Sequence, residues 1–306
     1  MSSDLVTIRL ALRDFDWSVT EPCRVFHGRG QGGADCRSIN VDWLSPVLLI
    51  TLYRPVDEAQ VQSLIDSLPA ESAGHVNAIL LQRRYRKPAV FETLSGEPVS
   101  AITVTEAGLT YGLNFNAGLH TGLFLDMAAA RSWVRERARD KRVLNLFAFT
   151  CAFSVAALAG GAKSVVNIDM SSSALAVGRD NHRYNGLDRR AASFLCHDLF
   201  RSWSKLRRLG PYDLVVVDPP SYQPGSFIAG KDYVRVVRQL PRMLADGADL
   251  LFCLNDPDKD VDFLRQLIET GESGLRFRAR LDNPREFADV DPQRSLKVLH
   301  YHYPGK

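Results

Sequence analysis

Three aspartates in the second half of the chain each stand at the end of an apolar run that predicts a β-strand: Asp169, Asp198 and Asp218. If these strands are parallel, their carboxyl ends share one edge of a sheet, where open parallel sheets bind ligands. Carboxylates can accept hydrogen bonds from ribose hydroxyls and from an exocyclic amine, and they tolerate a nearby positive charge. The three acids therefore predict a nucleoside ligand that also carries a cation.

A turn that lies ahead of these three strands, after a predicted strand that begins at residue 142, narrows the choice of nucleoside. Residues 145–153 read Asn-Leu-Phe-Ala-Phe-Thr-Cys-Ala-Phe, without the Gly-x-Gly-x-x-Gly pattern of dinucleotide sites. A pyrophosphate needs a close backbone and free N–H groups, which those glycines supply. S-adenosylmethionine has a ribose, an adenine amine and a sulfonium but no phosphate. The sequence therefore favours S-adenosylmethionine over a nicotinamide cofactor.

Asp218 opens the most specific motif of the chain, Asp-Pro-Pro-Ser-Tyr at 218–222. Two prolines after a buried strand fix the loop and remove two N–H donors, which leaves carbonyl groups to face the crevice. Such a loop can accept hydrogen bonds from a substrate amino group while Tyr222 stacks on a base. Catalysis would then consist mainly of positioning. We predict Asp218, Pro219, Pro220 and Tyr222 as the catalytic residues.

The elements that must position these residues alternate between strand and helix from residue 142 onward. The stretch 142–169 reads as strand, turn, helix and strand, the minimal unit of a parallel sheet. Further strands are predicted at 191–200, 212–222 and 248–256, followed by a closing pair of strands. By fold analogy this pattern predicts an α/β fold of the class I methyltransferase type, with a seven-stranded, mostly parallel sheet and helices on both faces.

A smaller α+β domain is predicted at residues 1–112, ahead of a catalytic domain at 113–306. Residues 24–35 are glycine-rich but follow no predicted strand, so we expect a loop there. Residues 120–141 are expected to be mostly helical, and Asp57 is expected to cap a helix that ends before Pro69. Basic residues cluster at 83–87 and at 201–208, which fits either a solvated surface or a nucleic-acid contact.

Composition excludes several classes of protein. The chain has 306 residues, of which 45% are hydrophobic and 24% charged, with a net charge of +3, as in an ordinary globular protein. No apolar run approaches the roughly 18 residues of a transmembrane helix. Five cysteines without a Cys-x-x-Cys pair indicate reduced thiols and a cytoplasmic location. We expect neither a metal site nor a membrane contact.

The segments 120–131, 144–175 and 218–222 resemble the large-subunit ribosomal RNA methyltransferases, which use S-adenosylmethionine. The resemblance covers about 100 through 306 well. It implies the following cofactor-binding residues: Asn145 and Phe147 at the methionine end, Asp169 at the ribose, Asp198 at the adenine, Asp218 in the crevice, and Phe124 and Asp126 closing over the cofactor. Met170, next to Asp169, is also expected at the cofactor. Cys151 and Ala152 replace glycines of the family's turn, which would narrow the space for the methionine moiety.

The atom that receives the methyl group depends on Cys253. Methylation of a pyrimidine at C5 needs a cysteine nucleophile, and Cys253 ends a predicted strand near the crevice. The resemblance instead aligns the nucleophile's place with Leu254, and residues 252–255 are closer to the nitrogen-methylating members. We therefore predict transfer to a base nitrogen of RNA, most simply ribosomal RNA, with the 83–87 cluster on the RNA backbone. A cytosine C5 methyltransferase, a non-catalytic RNA-binding protein and a nicotinamide-dependent oxidoreductase are the alternatives.

Overall fold

The computed structural model describes residues 3–31, 38–69, 72, 74–116, 119–220, 222–223, 227–271 and 274–305, with the backbone alone at 3–5, 31, 222 and 223. The chain divides into two compact units. The first comprises Met1–Leu125 with Pro284–Pro292, and the second comprises Asp126–Asn283 with Gln293–Lys306. The domain boundary predicted after residue 112 falls inside a strand of the first unit, Leu109–Asn114.

The first unit is built around a mixed sheet with helices packed on it. Its elements are α1 (Ser3–Arg13), β1 (Cys23–His27), α2 (Gly28–Gln31), β2 (Ile39–Leu44), β3 (Val47–Leu52), α3 (Glu58–Ile65), β4 (Ala78–Arg83), β5 (Phe91–Gly96), β6 (Ala101–Glu106) and β7 (Leu109–Asn114). The sheet has the order β1-β2-β3-β4-β5 among the described strands, and only β3 and β4 run parallel within it. The carboxyl ends of β3 and β4 therefore lie side by side, with α3 as the crossover.

Local sequence signals explain α3 but fail just before it. The Asp57 side chain caps α3 by accepting a hydrogen bond from the Ala59 N–H at 2.9 Å, as its position predicts. The loop predicted at 24–35 is wrong up to residue 31, because β1 and α2 occupy 23–31. The remainder of that prediction, 32–35, lies outside the described residues. β1 forms because it pairs antiparallel with β2, with a register shift between Arg24 and Phe26, and a local pattern does not reveal this pairing.

The basic cluster at 83–87 does not act as one group. Arg83 is 5% exposed, and its guanidinium pairs with both Glu58 and Glu92. A buried guanidinium must be paired in this way, since an uncompensated charge in the core is costly. The prediction that Arg83 contacts an RNA backbone is therefore wrong: its donors hold α3 and β5 to β4.

The second unit begins with a helix and then alternates. Its elements are α4 (Ala128–Arg137), β8 (Arg142–Leu146), α5 (Ala152–Ala159), β9 (Ser164–Asp169), α6 (Ser172–Tyr184), β10 (Ala192–Cys196), α7 (Trp203–Leu209), β11 (Tyr212–Val217), β12 (Tyr222–Gln223), β13 (Phe227–Ile228), α8 (Ala229–Gln239), β14 (Leu244–Leu254), α9 (Val261–Thr270), β15 (Arg276–Arg280) and β16 (Lys297–His302). The helix expected over 120–141 is confined to 128–137, after a short 3-10 turn at Leu125–Met127.

The main sheet of the second unit has the strand order β10-β9-β8-β11-β14-β16-β15 in the described part of the chain. The first five strands are mutually parallel, whereas β16 and β15 pair antiparallel. This confirms the predicted seven-stranded, mostly parallel α/β sheet. The chain order reverses between β8 and β11, which makes their carboxyl ends a topological switch point where such folds bind ligands.

Both faces of this sheet are covered. Along β14, Leu250 and Phe252 belong to one apolar cluster with residues of α8 and α9, while Leu251 and Cys253 belong to another with residues of α4 and α5. Strand residues alternate between faces, so burial on both faces explains why the strands read as continuous apolar runs. Within the described residues, no helix is both long and apolar enough to span a bilayer.

Candidate functional site

The strand order brings the three predicted aspartates to one edge of the sheet. Asp169 is the last residue of β9, while Asp198 and Asp218 follow β10 and β11. Neighbouring strands lie roughly 4.8 Å apart. Because β10 and β9 are adjacent and β8 separates β9 from β11, the acids are spread along the edge with the turn after β8 between them. This spacing suits one elongated ligand.

The turn between β8 and α5 has an unusual backbone. Phe147, Phe149 and Cys151 all have positive φ angles, of 58°, 46° and 60°. This left-handed region disfavours side chains that have a Cβ, at a cost of roughly 1–2 kcal/mol per residue. Three such residues in five positions persist only where surrounding contacts hold them, and strain of this kind is concentrated at functional sites.

Asp169 is one of the residues that hold the turn. One carboxylate oxygen accepts a hydrogen bond from the Phe149 N–H at 2.8 Å, and the other accepts one from the Ser171 N–H at 2.8 Å. Each carboxylate oxygen has two lone pairs, so both can accept a further hydrogen bond. Asp169 therefore supports the turn and still presents acceptors at the edge of the sheet.

The substituted turn residue Cys151 is accommodated by a glycine in α6. A Cβ placed on Gly178 would lie 2.6 Å from the Cys151 sulfur, which no packing tolerates. Cys151 is fully buried and clusters with Ala148 and Leu175. Its side chain thus fills space against α6, and burial raises the pKa of its thiol far above the usual range. The Cys151 side chain therefore lies in the core between the turn and α6.

Asn145, predicted at the methionine end of the cofactor, starts a buried chain of hydrogen bonds. Its amide donates to Asn167 on β9 at 2.9 Å, and the Asn167 amide donates to the Ser154 hydroxyl on α5 at 3.0 Å. Ser154 lies 2.9 Å from His182 Nε2, and His182 Nδ1 lies 2.7 Å from the Gly178 carbonyl. Burial lowers the pKa of His182, so the ring is neutral: Nδ1 donates to the carbonyl and Nε2 accepts from Ser154.

This chain of hydrogen bonds allows a test of stability. We expect Ser154→Ala to lower the free energy of unfolding by about 1–3 kcal/mol, because it leaves the His182 acceptor unsatisfied inside the core. Ser172→Ala, at an exposed position of α6, is the matched control and should change stability by less than about 0.5 kcal/mol. Urea unfolding followed by circular dichroism measures both. Equal midpoints for the two variants would show that the buried chain contributes nothing.

The other residues predicted at the cofactor differ in exposure. The Asp198 carboxylate accepts a hydrogen bond from the Phe200 N–H at 2.8 Å and lies 3.5 Å from Arg201, with 35% of its side chain exposed. Met170 is 58% exposed, and the Phe147 ring packs edge-on against Phe227 with centroids 5.1 Å apart. These side chains are therefore accessible or line the edge, in contrast with Asn145, which is 1% exposed.

The loop after β11 carries the predicted catalytic residues. Pro219 is buried and Pro220 is partly buried, while the Tyr222 side chain lies outside the described residues. The pKa of Asp218 is raised to about 7, first by loss of solvation and then by the carboxylate of Asp126, against the opposing charge of Arg131. Asp218 therefore changes its charge near neutral pH, as catalytic carboxyl groups do.

Sequence reasoning missed the side chains that support this loop. The Tyr233 hydroxyl donates a hydrogen bond to the Cys253 carbonyl and lies 3.3 Å from the Val217 carbonyl, so it ties the ends of β14 and β11 together. Lys297 is fully buried on β16, and its amine donates to the Asp256 carbonyl at 2.5 Å. A lysine directly before the apolar residues of β16 is a signal that sequence reasoning could have used.

Lys297 holds the backbone at Asp256, and the preceding residue, Asn255, contacts Asp126, the second carboxylate of the site. Asn255, at the end of β14, donates a hydrogen bond to Asp126 at 3.2 Å. Arg131, on the first turns of α4, is only 3% exposed. Asp126 and Arg131 are thus placed to set the charge around Asp218. Phe124, predicted with Asp126 to close over the cofactor, belongs to the first unit and is 37% exposed.

Cys253 does not have the surroundings of a nucleophile. Its side chain is fully buried in the apolar cluster shared with α4 and α5. Its pKa is raised well above the usual value, by burial first and then by the negative charges of Asp218 and Asp126. A thiolate is disfavoured there, and the thiolate is the form that attacks.

The chemistry of these donors and acceptors fits S-adenosylmethionine. The edge presents carboxylate acceptors for hydroxyls and an amine, a phenylalanine-rich turn without glycine, and the negative charge of Asp126 and Asp218 for a cation. The turn offers no glycine cradle for a pyrophosphate. Among the described residues, no cluster of three or more histidine, cysteine or acidic side chains could hold a metal ion.

Comparison with known families gives a match that spans both units. A family of proteins described as S-adenosylmethionine-dependent methyltransferases matches residues 23–302 of this chain. The match includes each aspartate at the edge of the main sheet, the turn after β8 and the loop after β11.

Individual relatives agree with this family. A ribosomal RNA large subunit methyltransferase K/L of Shewanella sp. (strain W3-18-1) is 33% identical over 213 residues, which cover 67% of this chain and 30% of that protein. The chain thus spans about a third of the length of the curated relatives it matches. A candidate SAM-dependent methyltransferase from Streptococcus mutans has a TM-score of 0.85 at 25% identity, covering 99% of this chain and 82% of that one. The structure of SMU.776, a candidate methyltransferase complexed with SAH, has the same TM-score and coverage at 24% identity, which shows a shared fold.

Proposed function

The chain belongs to the S-adenosylmethionine-dependent methyltransferase family, and on that basis we propose that it methylates a nitrogen of an RNA base, with ribosomal RNA as the substrate. The observation that carries this proposal is the position of Asp218. It begins an Asp-Pro-Pro loop at the switch point of the sheet, and its pKa is raised to about 7. Pro219 and Pro220 offer carbonyl acceptors and no N–H donor to a base nitrogen at this loop.

The order of strands along the edge gives each cofactor residue its proposed role. Asp198 after β10 binds the adenine amine, with Met170 beside the ring, and Asp169 at the end of β9 binds the ribose hydroxyls. The turn after β8, with Phe147, lies next along the edge and receives the methionine moiety. The order β10-β9-β8-β11 thus repeats the order adenine, ribose, methionine and reacting group. Asn145 supports the turn from within the core.

The bound cofactor supplies a methyl carbon that the neighbouring sulfonium makes electrophilic. The task of the chain is to hold a base nitrogen with its lone pair facing that carbon. We assign this to the carboxylate of Asp218 and to the carbonyls of Pro219 and Pro220, with Tyr222 against the base. Asp126, hydrogen-bonded to Asn255, and the buried Arg131 keep Asp218 close to its titration point.

RNA enters the proposal through the relatives. The curated relatives that match this chain over 67% of its length are ribosomal RNA methyltransferases, but the chain spans only 30% of theirs. Their substrate is therefore carried over to this chain as a proposal. Flipping a base into the crevice would be needed only for a target within a duplex, because a base in a loop is already accessible.

The test is to identify the methylated nucleoside. Isotope-labelled S-adenosylmethionine and unmodified ribosomal RNA are incubated with enzyme, and the RNA is digested to nucleosides for mass spectrometry. We expect label on a base nitrogen, undiminished in Cys253→Ala. Cys23→Ala, which removes a half-buried thiol from the first unit, is the matched control.

Other outcomes would identify the alternatives. A 5-methylpyrimidine that is lost in Cys253→Ala but retained in Cys23→Ala would replace the nitrogen mechanism by a cysteine mechanism. RNA binding without label transfer would leave a protein that only binds RNA. Transfer to neither RNA nor its fragments would move the substrate to another class of acceptor.

A further inference from the structure

Three strand ends of the first unit converge on one edge of its sheet. β3 and β4 run parallel with Leu52 opposite Arg83, so the residues that follow them, Tyr53 and Arg84, are neighbours. The Arg84 N–H donates to the Leu52 carbonyl at 2.8 Å, which fixes this placement. β1 ends at the same edge, because its last residue, His27, lies opposite Asn40 near the start of β2. Two residues after His27, the Arg29 N–H donates a hydrogen bond to the Asn40 side chain.

Tyr53 holds two guanidinium groups at this edge. The Arg29 guanidinium lies 4.7 Å from the centre of the Tyr53 ring, and that of Arg84 lies 5.5 Å from it. The ring is itself anchored, since the Asn40 amide donates to the Tyr53 hydroxyl at 3.2 Å. A guanidinium stacked on an aromatic ring keeps its N–H donors at the rim, where they can still bind a phosphate.

Several cations of the first unit already have carboxylate partners. Arg13, Arg24 and Arg83 each pair with a carboxylate. A second group follows the ends of β1, β3 and β4 along the chain and consists of Arg29, Arg54, Arg84, Arg86 and Lys87, of which Arg29 and Arg84 lie over the Tyr53 ring. None of these five forms an ion pair with another described residue. Arg83 pairs with both Glu58 and Glu92 and offsets one of their two negative charges, so a single negative charge remains there against the five cations of the second group.

We propose that this edge, formed by Tyr53 with Arg29, Arg54, Arg84, Arg86 and Lys87, binds the phosphodiester backbone of the RNA substrate. Four of the five cations are exposed, and Arg84 is partly buried beside the ring. Unpaired guanidinium groups on a fixed platform lose little side-chain entropy when they bind phosphate. The inference rests on the proposed function for the identity of the polyanion as RNA.

The second basic cluster of the chain is different. Arg201 pairs with Asp198, Lys205 lies 3.1 Å from His197, and Arg207 donates to Ser204 and Gln239. These side chains have partners in their own unit. The cluster at 201–208 contains one ion pair, Arg201 with Asp198, and among the described residues none of its cations lies over an aromatic ring as Arg29 and Arg84 do.

The test measures RNA binding apart from methyl transfer. A fluorescein-labelled single-stranded oligoribonucleotide of mixed sequence is titrated at several KCl concentrations, with fluorescence anisotropy as the readout. We expect Arg84→Ala/Arg86→Ala to weaken binding by about 10- to 100-fold and to reduce the slope of log Kd against log [KCl] by about 1.4, since each phosphate contact on a single strand contributes about 0.7. Arg13→Ala, an exposed arginine on α1, should bind like the wild type.

Tyr53 is a positioning residue and needs its own comparison. Tyr53→Leu should weaken binding about fivefold, and Tyr53→Phe, which keeps the ring, should restore most of the affinity and the wild-type salt slope. Wild-type affinity in Arg84→Ala/Arg86→Ala, with methyl transfer intact, would overturn this surface and leave the proposed function standing. If the wild-type protein binds RNA but methylates none, and the variants lose this binding, the surface would stand and the proposed function would be wrong. If the variants lose affinity for an RNA duplex by the same factor, the surface recognises the charge of the backbone in single-stranded and double-stranded RNA alike.

Discussion

Asp218→Asn is expected to lower kcat for methyl transfer to RNA by about 100- to 1,000-fold, while the affinity for S-adenosylhomocysteine changes by less than about threefold. The substitution keeps the size of the side chain but removes the charge and one acceptor oxygen next to the target base. Removing one preorganised hydrogen-bonding group next to the reacting atoms costs about 10²–10³ in kcat. The loss should appear in single-turnover rates measured with saturating cofactor.

The pH dependence gives the same prediction a second readout. The raised pKa of Asp218 means that its carboxyl is neutral in much of the protein below pH 7. If the carboxylate is the active form, the wild-type rate rises as the pH increases through about 7, and the rate of Asp218→Asn stays flat over that interval. A direct pH titration of single-turnover rates distinguishes the two.

The melting temperature distinguishes a loss of catalysis in Asp218→Asn from misfolding of the variant. A carboxyl whose pKa is higher in the folded than in the unfolded state stabilises the fold at low pH, and this contribution is lost as the pH rises through the folded pKa. Ionised Asp218 therefore costs stability at pH 8, and Asp218→Asn should melt at the same temperature as the wild type or higher. Asp258→Asn, at an exposed position after β14, is the control. Wild-type kcat in Asp218→Asn would remove Asp218 from the mechanism.

The features that sequence alone could predict are those set by local patterns. Apolar runs buried on both faces gave the strands, and an acid directly after each run gave the three edge positions. Asp57 predicted the start of α3 because an N-cap depends only on the next few residues. These patterns are short in range, so no knowledge of the tertiary fold was needed.

The features that sequence could not predict depend on partners far along the chain. Arg83 looked like its basic neighbours, but Glu58 and Glu92 reach it only after β4 pairs with β5. Asn145 looked accessible at the end of a strand, yet it lies directly opposite Asn167 in the parallel register, and both face α5. Cys151 needed the absence of a side chain at Gly178, which no local pattern indicates.

Asp169→Ala is expected to weaken binding of S-adenosylhomocysteine by about 100-fold or more, whereas Asp218→Asn is expected to change that affinity by less than about threefold. The substitution removes the acceptor for the ribose hydroxyls, and hydrogen bonds to a charged group are worth about 1.5–3 kcal/mol each. Two such bonds correspond to more than 100-fold in affinity, since 1.4 kcal/mol is tenfold. Isothermal titration calorimetry with S-adenosylhomocysteine, which carries no methyl group to transfer, measures the change.

A second consequence arises in the protein without ligand. Asp169 also accepts the Phe149 and Ser171 N–H groups, and these bonds oppose the strain of the left-handed residues Phe147 and Cys151. Asp169→Asn keeps one acceptor oxygen and should lose only about tenfold in affinity, whereas Asp169→Ala should also release the turn. Asp180→Ala, on the exposed face of α6, is the matched control and should bind like the wild type. Wild-type affinity in Asp169→Ala would mean that the ribose lies elsewhere and that the strained turn is held for packing alone.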